Sequence, residues 1–213
     1  CPEDKKPNKK RRSRRDGAFE ATGPLLITHS GLSGPAALKA SAFGARALSS
    51  SKYKAAVYVD WLPSYKSASA VYDSLLAFKR DNPRMSVGKA SPDSLKPKLP
   101  RRLWLKLLEG AVDEGRPWGE VKDRDVQTLS AVLKRTPLTM TGKSTNKEEF
   151  VTAGGINLKE VDLKTMQSKV SPGLFSVWEC NDIDAVTGGY NFLNCWTTGY
   201  AAGLGVARYL GEG

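Results

Sequence analysis

The chain has 213 residues, of which 40% are hydrophobic, so it is long enough to bury a core as one large domain or two small ones. Its only histidine is His29, which argues against a histidine-based catalytic triad or zinc site. The formal net charge is +11, and no apolar stretch approaches the length of a membrane span.

Positive charge is concentrated near the start of the chain. Eight lysines and arginines fall within Lys5–Arg15, almost without apolar residues. Such a block is normally disordered and solvated, yet it could neutralise the phosphates of RNA, DNA or another anionic surface. Because no aromatic residue is interleaved to stack bases, a flexible insertion between two strands is the favoured interpretation.

The residues after this block predict short strands around one helix. Ala18–Thr28 is expected to be extended, with Leu25–Ile27 as a short buried strand. Ser33 resembles an N-cap for a helix from about Ala36–Leu48. Lys54–Trp61 alternates apolar and polar residues, as a half-buried strand does. These strands fit a small β-barrel or sandwich better than a parallel layered sheet.

The middle of the chain is predicted to be helical. Apolar residues recur at helical spacing in three segments, Ser67–Arg80, Arg101–Val112 and Asp123–Lys134. A loop rich in Lys, Ser and Pro, Gly88–Pro100, separates the first two helices. Leucines at this spacing indicate helix packing rather than a cofactor contact, so residues 63–135 are interpreted as a scaffold subdomain.

The composition changes again from Phe150. Val151–Ile156 predicts a strand entering a glycine turn, Leu163–Met166 a tight connection, and Leu174–Val177 a short apolar strand. Phe192–Leu210 predicts a long helix whose small residues allow close packing on a sheet. A strand–loop–helix unit of this type is typical of an α/β nucleotide-binding domain.

The sequence before this last helix predicts a ligand-binding helix end. Val186–Asn191 contains the pair Gly188–Gly189 and follows shortly after Pro172–Glu179. Free amides and the positive pole of a helix attract anionic or strongly polar ligand atoms. Two glycines without side chains let a ligand approach the backbone.

Four motifs in order along the chain carry a family resemblance: Gly23–Pro35; Thr141–Lys143 with Glu148–Gly155; Pro172–Leu174; and Thr187–Asn191. Together they resemble the BaiN/RdsA-type NAD(P)/FAD-dependent oxidoreductases, which are flavoproteins of the aminoacetone-oxidase-like kind. The resemblance covers nearly the whole chain from about Phe19. A glycine pair before a helix is a weak signal alone, and the ordered set is a strong one.

The resemblance implies an α+β fold: a small β-barrel with an inserted helical subdomain, plus the C-terminal strand and helix part of a Rossmann-like FAD-binding domain. The basic segment would occupy residues 1–17, and the barrel residues 18–62 and 136–149. The helical subdomain would occupy residues 63–135, and the FAD-domain part residues 150–213. Each boundary is an expectation from sequence.

One family element is missing from this sequence. The chain begins at Cys1 and has no Gly-x-Gly-x-x-Gly after an initial strand, the fingerprint that holds a dinucleotide pyrophosphate. The family carries that fingerprint at its N-terminus. The resemblance therefore implies the C-terminal portion of such an oxidoreductase, with weak or absent FAD binding by this chain alone.

The resemblance assigns cofactor-binding roles to a defined set of residues. Glu179 would hydrogen-bond a hydroxyl of the ribityl chain, because a carboxylate offers two acceptor oxygens. The backbone of Thr187, Gly188, Gly189, Tyr190 and Asn191 would lie near the flavin pyrimidine edge. Gly154 and Gly155 have a weaker claim, since a strand-end turn uses the same residues. The alternatives are a surface glutamate and a glycine-rich helix start that only permits close packing.

Four further residues qualify this interpretation. The family has glycine where Trp178 stands, and an indole there could occupy space that the cofactor needs. His29 is a weak catalytic candidate, because a lone histidine is more often a structural hydrogen-bonding group. Asp182 and Asp184 match acidic positions of the family motif, yet could simply favour the dipole of the following helix.

Two functions remain open from the sequence. The first is flavin-mediated hydride or electron transfer in a complete protein that uses FAD and NAD(P)H on an unknown small-molecule substrate. The second is a non-catalytic descendant that acts as a structural or nucleic-acid-binding subunit through Lys5–Arg15. The cysteines Cys1, Cys180 and Cys195 form no pairing framework, so we expect reduced thiols in a soluble, intracellular protein without membrane contact.

Overall fold

The computed structural model describes residues 19–89, 91–143, 151–186 and 188–211. The chain divides into a central unit, Lys54–Thr141, and a terminal unit made of Cys1–Tyr53 and Gly142–Gly213. The predicted basic block, Lys5–Arg15, lies outside the described residues.

Eleven helices and strands of these ranges are used below. In chain order they are β1 (Leu26–Ile27), β2 (Leu32–Ser33), α1 (Gly34–Ser50), β3 (Ala55–Val59), α2 (Ala68–Asp81), α3 (Arg101–Leu108), α4 (Asp123–Lys134), β4 (Thr136–Met140), β5 (Val161–Asp162), β6 (Gln167–Ser168) and α5 (Gly189–Gly211). Short 3-10 turns connect several of them. The predicted mixture of helices and strands is confirmed.

Local signals in the sequence explain the helices of the central unit. The Ser67 side chain accepts a hydrogen bond from the amide of Ala70 at 3.2 Å and so caps α2. Asn82 ends that helix directly before a proline, and α4 begins and ends at the predicted residues. Helix α3 is shorter than predicted, because Glu109, with a ψ of 125°, and Gly110, with a φ of 78°, form a turn closed by the bond from the Ala111 amide to the Leu108 carbonyl.

The central unit has a substantial core built from its three helices and the loops between them. Trp104 and Trp118 are fully buried and stack with ring centroids 6.5 Å apart. The indole N–H of Trp104 donates to the carbonyl of Val87 at 2.8 Å, which fixes α3 against the turn at residues 87–89. This core confirms that the leucine stripes are used for helix packing.

Strands β3 and β4 form an antiparallel pair in the central unit, with Ala55 opposite Met140. The alternation predicted for β3 is confirmed, since Val59 is buried whereas Tyr58 is half exposed. The guanidinium of Arg135 lies 3.8 Å from the centre of the Tyr58 ring. In the part of the chain that the structure describes, the strands form three two-stranded antiparallel sheets, and none closes into a barrel.

The terminal unit differs from several predictions. Strand β1 is exposed, not buried, because among the described residues it pairs with β2 alone and its side chains are left uncovered. Helix α1 begins at Gly34 and continues to Ser50, and Ser33 makes no side-chain capping bond. A β-turn at Thr28–Gly31 joins β1 to β2.

The two strands predicted in the C-terminal part are not formed. Residues 151–156 contribute one isolated pairing, at Ile156, and residues 174–177 one at Phe175. Gly154 and Gly155 adopt φ values of 120° and 138°, which interrupt an extended run. The predicted tight connection is confirmed as the turn that joins β5 to β6.

The terminal unit buries few apolar side chains. Its cluster of buried residues among those described contains Val161, Met166 and Ala202. Helix α5 reaches this cluster at Gly205, where an added Cβ would lie 2.4 Å from the carbonyl oxygen of Thr165. Phe175 and Tyr209 meet edge to face, with centroids 6.2 Å apart.

The opposite side of α5 is apolar and exposed. We call Phe192, Leu193, Trp196, Tyr200 and Leu204 the exposed face of α5; their exposures run from 45% to 72%. A helix that is apolar on all sides is normally buried in a core. In the described residues, no helix is long and apolar enough to cross a membrane.

Candidate functional site

The candidate site is in the terminal unit, where residues 154–156 run beside residues 178–182. The amide of Ile156 donates to the carbonyl of Cys180 at 2.7 Å, and the amide of Asp182 donates to the carbonyl of Ile156 at 3.0 Å. This short pairing is parallel. It brings the predicted glycines Gly154 and Gly155 next to the loop that carries Glu179.

The two glycines of this pair have different surroundings. A Cβ added at Gly155 would lie 2.6 Å from the carbonyl oxygen of Cys180, so a side chain there would disrupt the pairing. A Cβ at Gly154 would meet nothing within 4 Å. Gly155 therefore serves the packing of the loop, and Gly154 leaves open space at its side.

The start of α5 presents open backbone. Gly188 has a φ of 135°, and a Cβ at Gly188 or Gly189 would meet nothing within 4 Å. Tyr190 is 65% exposed, and the amide of Asn191 makes a long, 3.4 Å bond to the carbonyl of Gly188. The helix dipole is therefore accessible to a ligand at this end. Thr187, predicted as part of the same set, lies outside the described residues.

Trp178 occupies a left-handed backbone conformation, with a φ of 55°. This region favours glycine, because a Cβ there approaches the following carbonyl oxygen. The amide of Trp178 donates to the hydroxyl of Thr198 in α5 at 3.1 Å, which holds the turn in place. The indole is 42% exposed. The backbone shape suited to a glycine is thus present although the residue is tryptophan.

Glu179 lies in the middle of the short turn Trp178–Cys180 and is exposed. In the described ranges no hydrogen bond or ion pair engages its carboxylate. Its two oxygens are therefore open to an external hydroxyl or amide. Whether that group belongs to a flavin is a proposal.

Asn181 is the buried polar residue of the loop. Its side-chain oxygen accepts from the hydroxyl of Ser176 at 2.8 Å, whereas its Nδ2 is buried and has no partner in the described part of the chain. Leaving a buried amide donor unpaired costs roughly 1–3 kcal/mol. This unpaired donor lies directly after Glu179 and Cys180 in the loop.

Asp182 has a structural partner that the sequence did not reveal. Its carboxylate pairs with the guanidinium of Arg46 in α1. The hydrogen bond and the charge of Asp182 raise the pKa of Arg46, and Asp184 adds a smaller effect of the same sign. The two residues lie 136 positions apart in sequence, so the motif that contains Asp182 gave no indication of its pairing with Arg46.

His29 lies at the exposed tip of the β-turn between β1 and β2. The hydroxyl of Thr28 accepts from the amides of Ser30 and Gly31 and so fixes this turn. A catalytic role for His29 stays a prediction. Among the residues that the structure describes, no three His, Cys, Asp or Glu side chains could hold a metal ion together.

The family model of the HI0933-like protein barrel and H2TH domain matches residues 7–151. The chain belongs to this family. The predicted resemblance to BaiN/RdsA-type flavoproteins is confirmed, and members of the HI0933-like family similar to this chain are oxidoreductases of the flavoprotein type.

Three curated relatives in the HI0933-like family are similar over most of this chain. The ribosomal RNA dihydrouridine synthase of Haemophilus influenzae is 31% identical over 86% of the chain and 42% of its own length. The protein of the same name from Escherichia coli is 27% identical over 83% and 40%. The 3-dehydro-bile acid delta(4,6)-reductase of Clostridium scindens is 30% identical over 89% and 45%.

The chain thus spans less than half of the length of the curated relatives that it matches. What is shown for this chain is its family membership and the local geometry of the candidate site.

Proposed function

We propose that this chain is the C-terminal portion of an FAD-dependent oxidoreductase that transfers hydride or electrons through a flavin. Two observations carry the proposal: the open glycine backbone at the start of α5, and the exposed Glu179 in a turn that is bonded to α5 at Thr198. These are the two kinds of group that a flavin requires at its polar edge and its ribityl chain. When bound, FAD would supply the redox chemistry.

The residues present fit one side of such a cofactor. Gly154, Gly188 and Gly189 leave space at the backbone, and the left-handed turn at Trp178 directs the chain as a glycine would. The amides of Gly189, Tyr190 and Asn191 would oppose the negative charge that accumulates on a reduced flavin. Glu179 would accept a hydrogen bond from a ribityl hydroxyl. The indole of Trp178 is the group that has to move or be accommodated.

The substrate class proposed is a carbon–carbon double bond conjugated with a carbonyl. Uridine becomes dihydrouridine, and a 3-oxo-Δ4,6 steroid becomes its reduced form, by the same net addition of one hydride and one proton. Two relatives carry the first activity in their names and one the second. NAD(P)H is the proposed source of the hydride, which passes through the flavin. RNA is the substrate class favoured here, because the chain has a net charge of +11.

The terminal unit is proposed to need a further polypeptide segment with a dinucleotide-binding fold. Eighteen of the twenty large hydrophobic side chains exposed in the described ranges belong to this unit. The exposed face of α5 is the largest group among them. Apolar surface of this extent marks a site of burial against another element. Such a segment would cover α5 and supply the pyrophosphate-binding glycines.

Two purifications test this proposal: one of the chain alone, and one of the chain together with the segment of a relative that it lacks. We expect a colourless protein from this chain alone, and stoichiometric flavin when it is co-expressed with the remainder of the Haemophilus influenzae relative. Flavin absorbance after gel filtration gives the readout. Stoichiometric flavin in the chain alone would contradict the proposal that a further segment is needed to bind the cofactor. Absence of flavin from a stable complex would contradict the flavoprotein assignment.

The second candidate is a non-catalytic subunit that binds nucleic acid through Lys5–Arg15. Trp178 favours it, since this residue stands where the resemblance implies a glycine beside the cofactor. A stable, colourless complex that binds RNA in a salt-sensitive manner is the outcome expected from this alternative.

A further inference from the structure

The central unit contains a second concentration of positive charge, separate from Lys5–Arg15. Residues 82–106 include seven lysines and arginines and a single carboxylate, Asp93. Five of the cations form what we call the loop–helix basic surface: Lys89, Lys96, Lys98, Arg101 and Arg102, all exposed. An ordinary solvated surface mixes both signs, so this imbalance needs an explanation.

Hydrogen bonds and buried side chains bring these cations together. The hydroxyl of Ser91 donates to the carbonyl of Leu99 at 3.1 Å and closes the loop between them. Lys89 therefore lies near one end of the closed loop and Arg101 near the other. Lys89 and Lys98 also line one cleft of about 240 Å³.

The loop that presents the cations is anchored at several points. Leu95 and Leu99 are buried in the core of the central unit. The hydroxyl of Tyr65 donates to the carbonyl of Ser94 at 2.8 Å, and that of Ser64 donates to the carbonyl of Lys96 at 2.7 Å. Anchoring reduces the entropy that a ligand would otherwise have to overcome in ordering the loop.

Two of the cations lie at the positive, N-terminal end of the α3 dipole, where positive charge is unfavourable. Its first turn carries Arg101 and Arg102 and no acidic residue, and Pro100 provides no side-chain cap. Helix α4 of the same unit shows the favourable arrangement, with Asp123 in its first turn and Lys134 in its last. Bound anions would offset the unfavourable arrangement in α3.

Most of this charge is not neutralised within the protein. Lys98 pairs with Asp93 at 2.5 Å. In the described ranges no ion pair engages Lys89, Lys96, Arg101 or Arg102, so four full positive charges face solvent. A polyanion with closely spaced charges can release counterions when it binds such a set.

We propose that the loop–helix basic surface binds the phosphate backbone of RNA and holds the substrate of the flavin reaction on the protein. The choice of RNA rests on the proposed function, whereas the surface itself rests on its charge and anchoring. The contact is one to phosphates and so is independent of base sequence.

The test compares two charge variants of the 213-residue chain, which both retain Lys5–Arg15. The first carries Lys89→Gln, Lys96→Gln, Arg101→Gln and Arg102→Gln. The matched control carries Lys54→Gln, Arg80→Gln, Lys122→Gln and Arg124→Gln, which remove the same charge from other exposed positions of the central unit. Fluorescence anisotropy of a fluorescein-labelled, uridine-rich RNA stem-loop is measured over a range of salt concentrations.

We expect the first variant to weaken RNA binding by about tenfold or more near physiological salt and to lower the salt slope by about 3, whereas the control changes both much less. Equal effects of the two variants, or no effect of the first, would overturn the proposal. The proposal would also be overturned if the first variant lost binding to phosphatidylserine vesicles while its RNA binding remained intact. Circular dichroism confirms folding of both variants. RNA binding is measured without flavin. The result of this test therefore does not depend on whether the co-expressed complex contains flavin.

Discussion

At the scale of single residues, Trp178 combines a glycine-like backbone with the largest side chain. Its φ of 55° keeps the turn that precedes Glu179, and its amide is fixed to Thr198 at 3.1 Å. The resemblance implies a glycine at this position, whereas the amide of Trp178 is held by a contact twenty residues away. No local pattern could have predicted it.

Replacing Trp178 separates the cost of the backbone from the loss of the indole. Trp178→Ala removes the indole and keeps a Cβ in the left-handed region, whereas Trp178→Gly removes the indole and the Cβ. We expect the glycine variant to be more stable than the alanine variant by about 1 kcal/mol. Urea unfolding of both variants measures this difference. An alanine variant as stable as the glycine variant would show that the turn is not strained.

At the scale of elements, local signals predicted the helices well and the C-terminal strands poorly. Helix α2 has a cap at Ser67 and a stop at Asn82, so its bounds could be read from neighbouring residues. The pairing of Ile156 with Asn181 and the ion pair of Arg46 with Asp182 depend on partners distant in sequence. The strand predicted to enter the glycine turn at Gly154–Gly155 does not form, and residues 151–156 contribute one isolated pairing, at Ile156.

The glycines of α5 provide a matched pair for a packing test. A Cβ at Gly205 would lie 2.4 Å from the carbonyl of Thr165, whereas a Cβ at Gly203 would meet nothing within 4 Å. We expect Gly205→Ala to destabilise the protein by about 1–3 kcal/mol through overpacking. Gly203→Ala should stabilise the helix by about 0.5–1 kcal/mol. Thermal unfolding distinguishes them, and equal behaviour would contradict the contact between α5 and Thr165.

At the scale of the whole molecule, the two units differ in how completely they are packed. The central unit encloses a core around Trp104 and Trp118, whereas the buried cluster of the terminal unit contains Val161, Met166 and Ala202. Family membership could be predicted from sequence because it depends on ordered motifs. The unequal packing could not, since it depends on which apolar faces find a partner.

The exposed face of α5 should make the isolated chain bind hydrophobic dye. We expect Trp196→Glu to reduce fluorescence of a naphthalene sulfonate dye and to lower self-association, because Trp196 is 69% exposed on that face. Tyr58→Glu is the control, as Tyr58 is 52% exposed but lies in the central unit. Dye titration and analytical ultracentrifugation provide the measurements. A larger effect of Tyr58→Glu would show that the surface that binds dye and self-associates lies in the central unit.

The pairing of Ala55 with Met140 has a consequence for how this chain can be divided. Entry to and exit from the central unit lie on adjacent strands, roughly 5 Å apart as paired residues are. A segment with neighbouring ends can be excised as a cassette and expressed alone. A short turn can then close the gap that it leaves in the parent chain. Natural exchange of such cassettes among flavoproteins would require only that the two strand ends be kept.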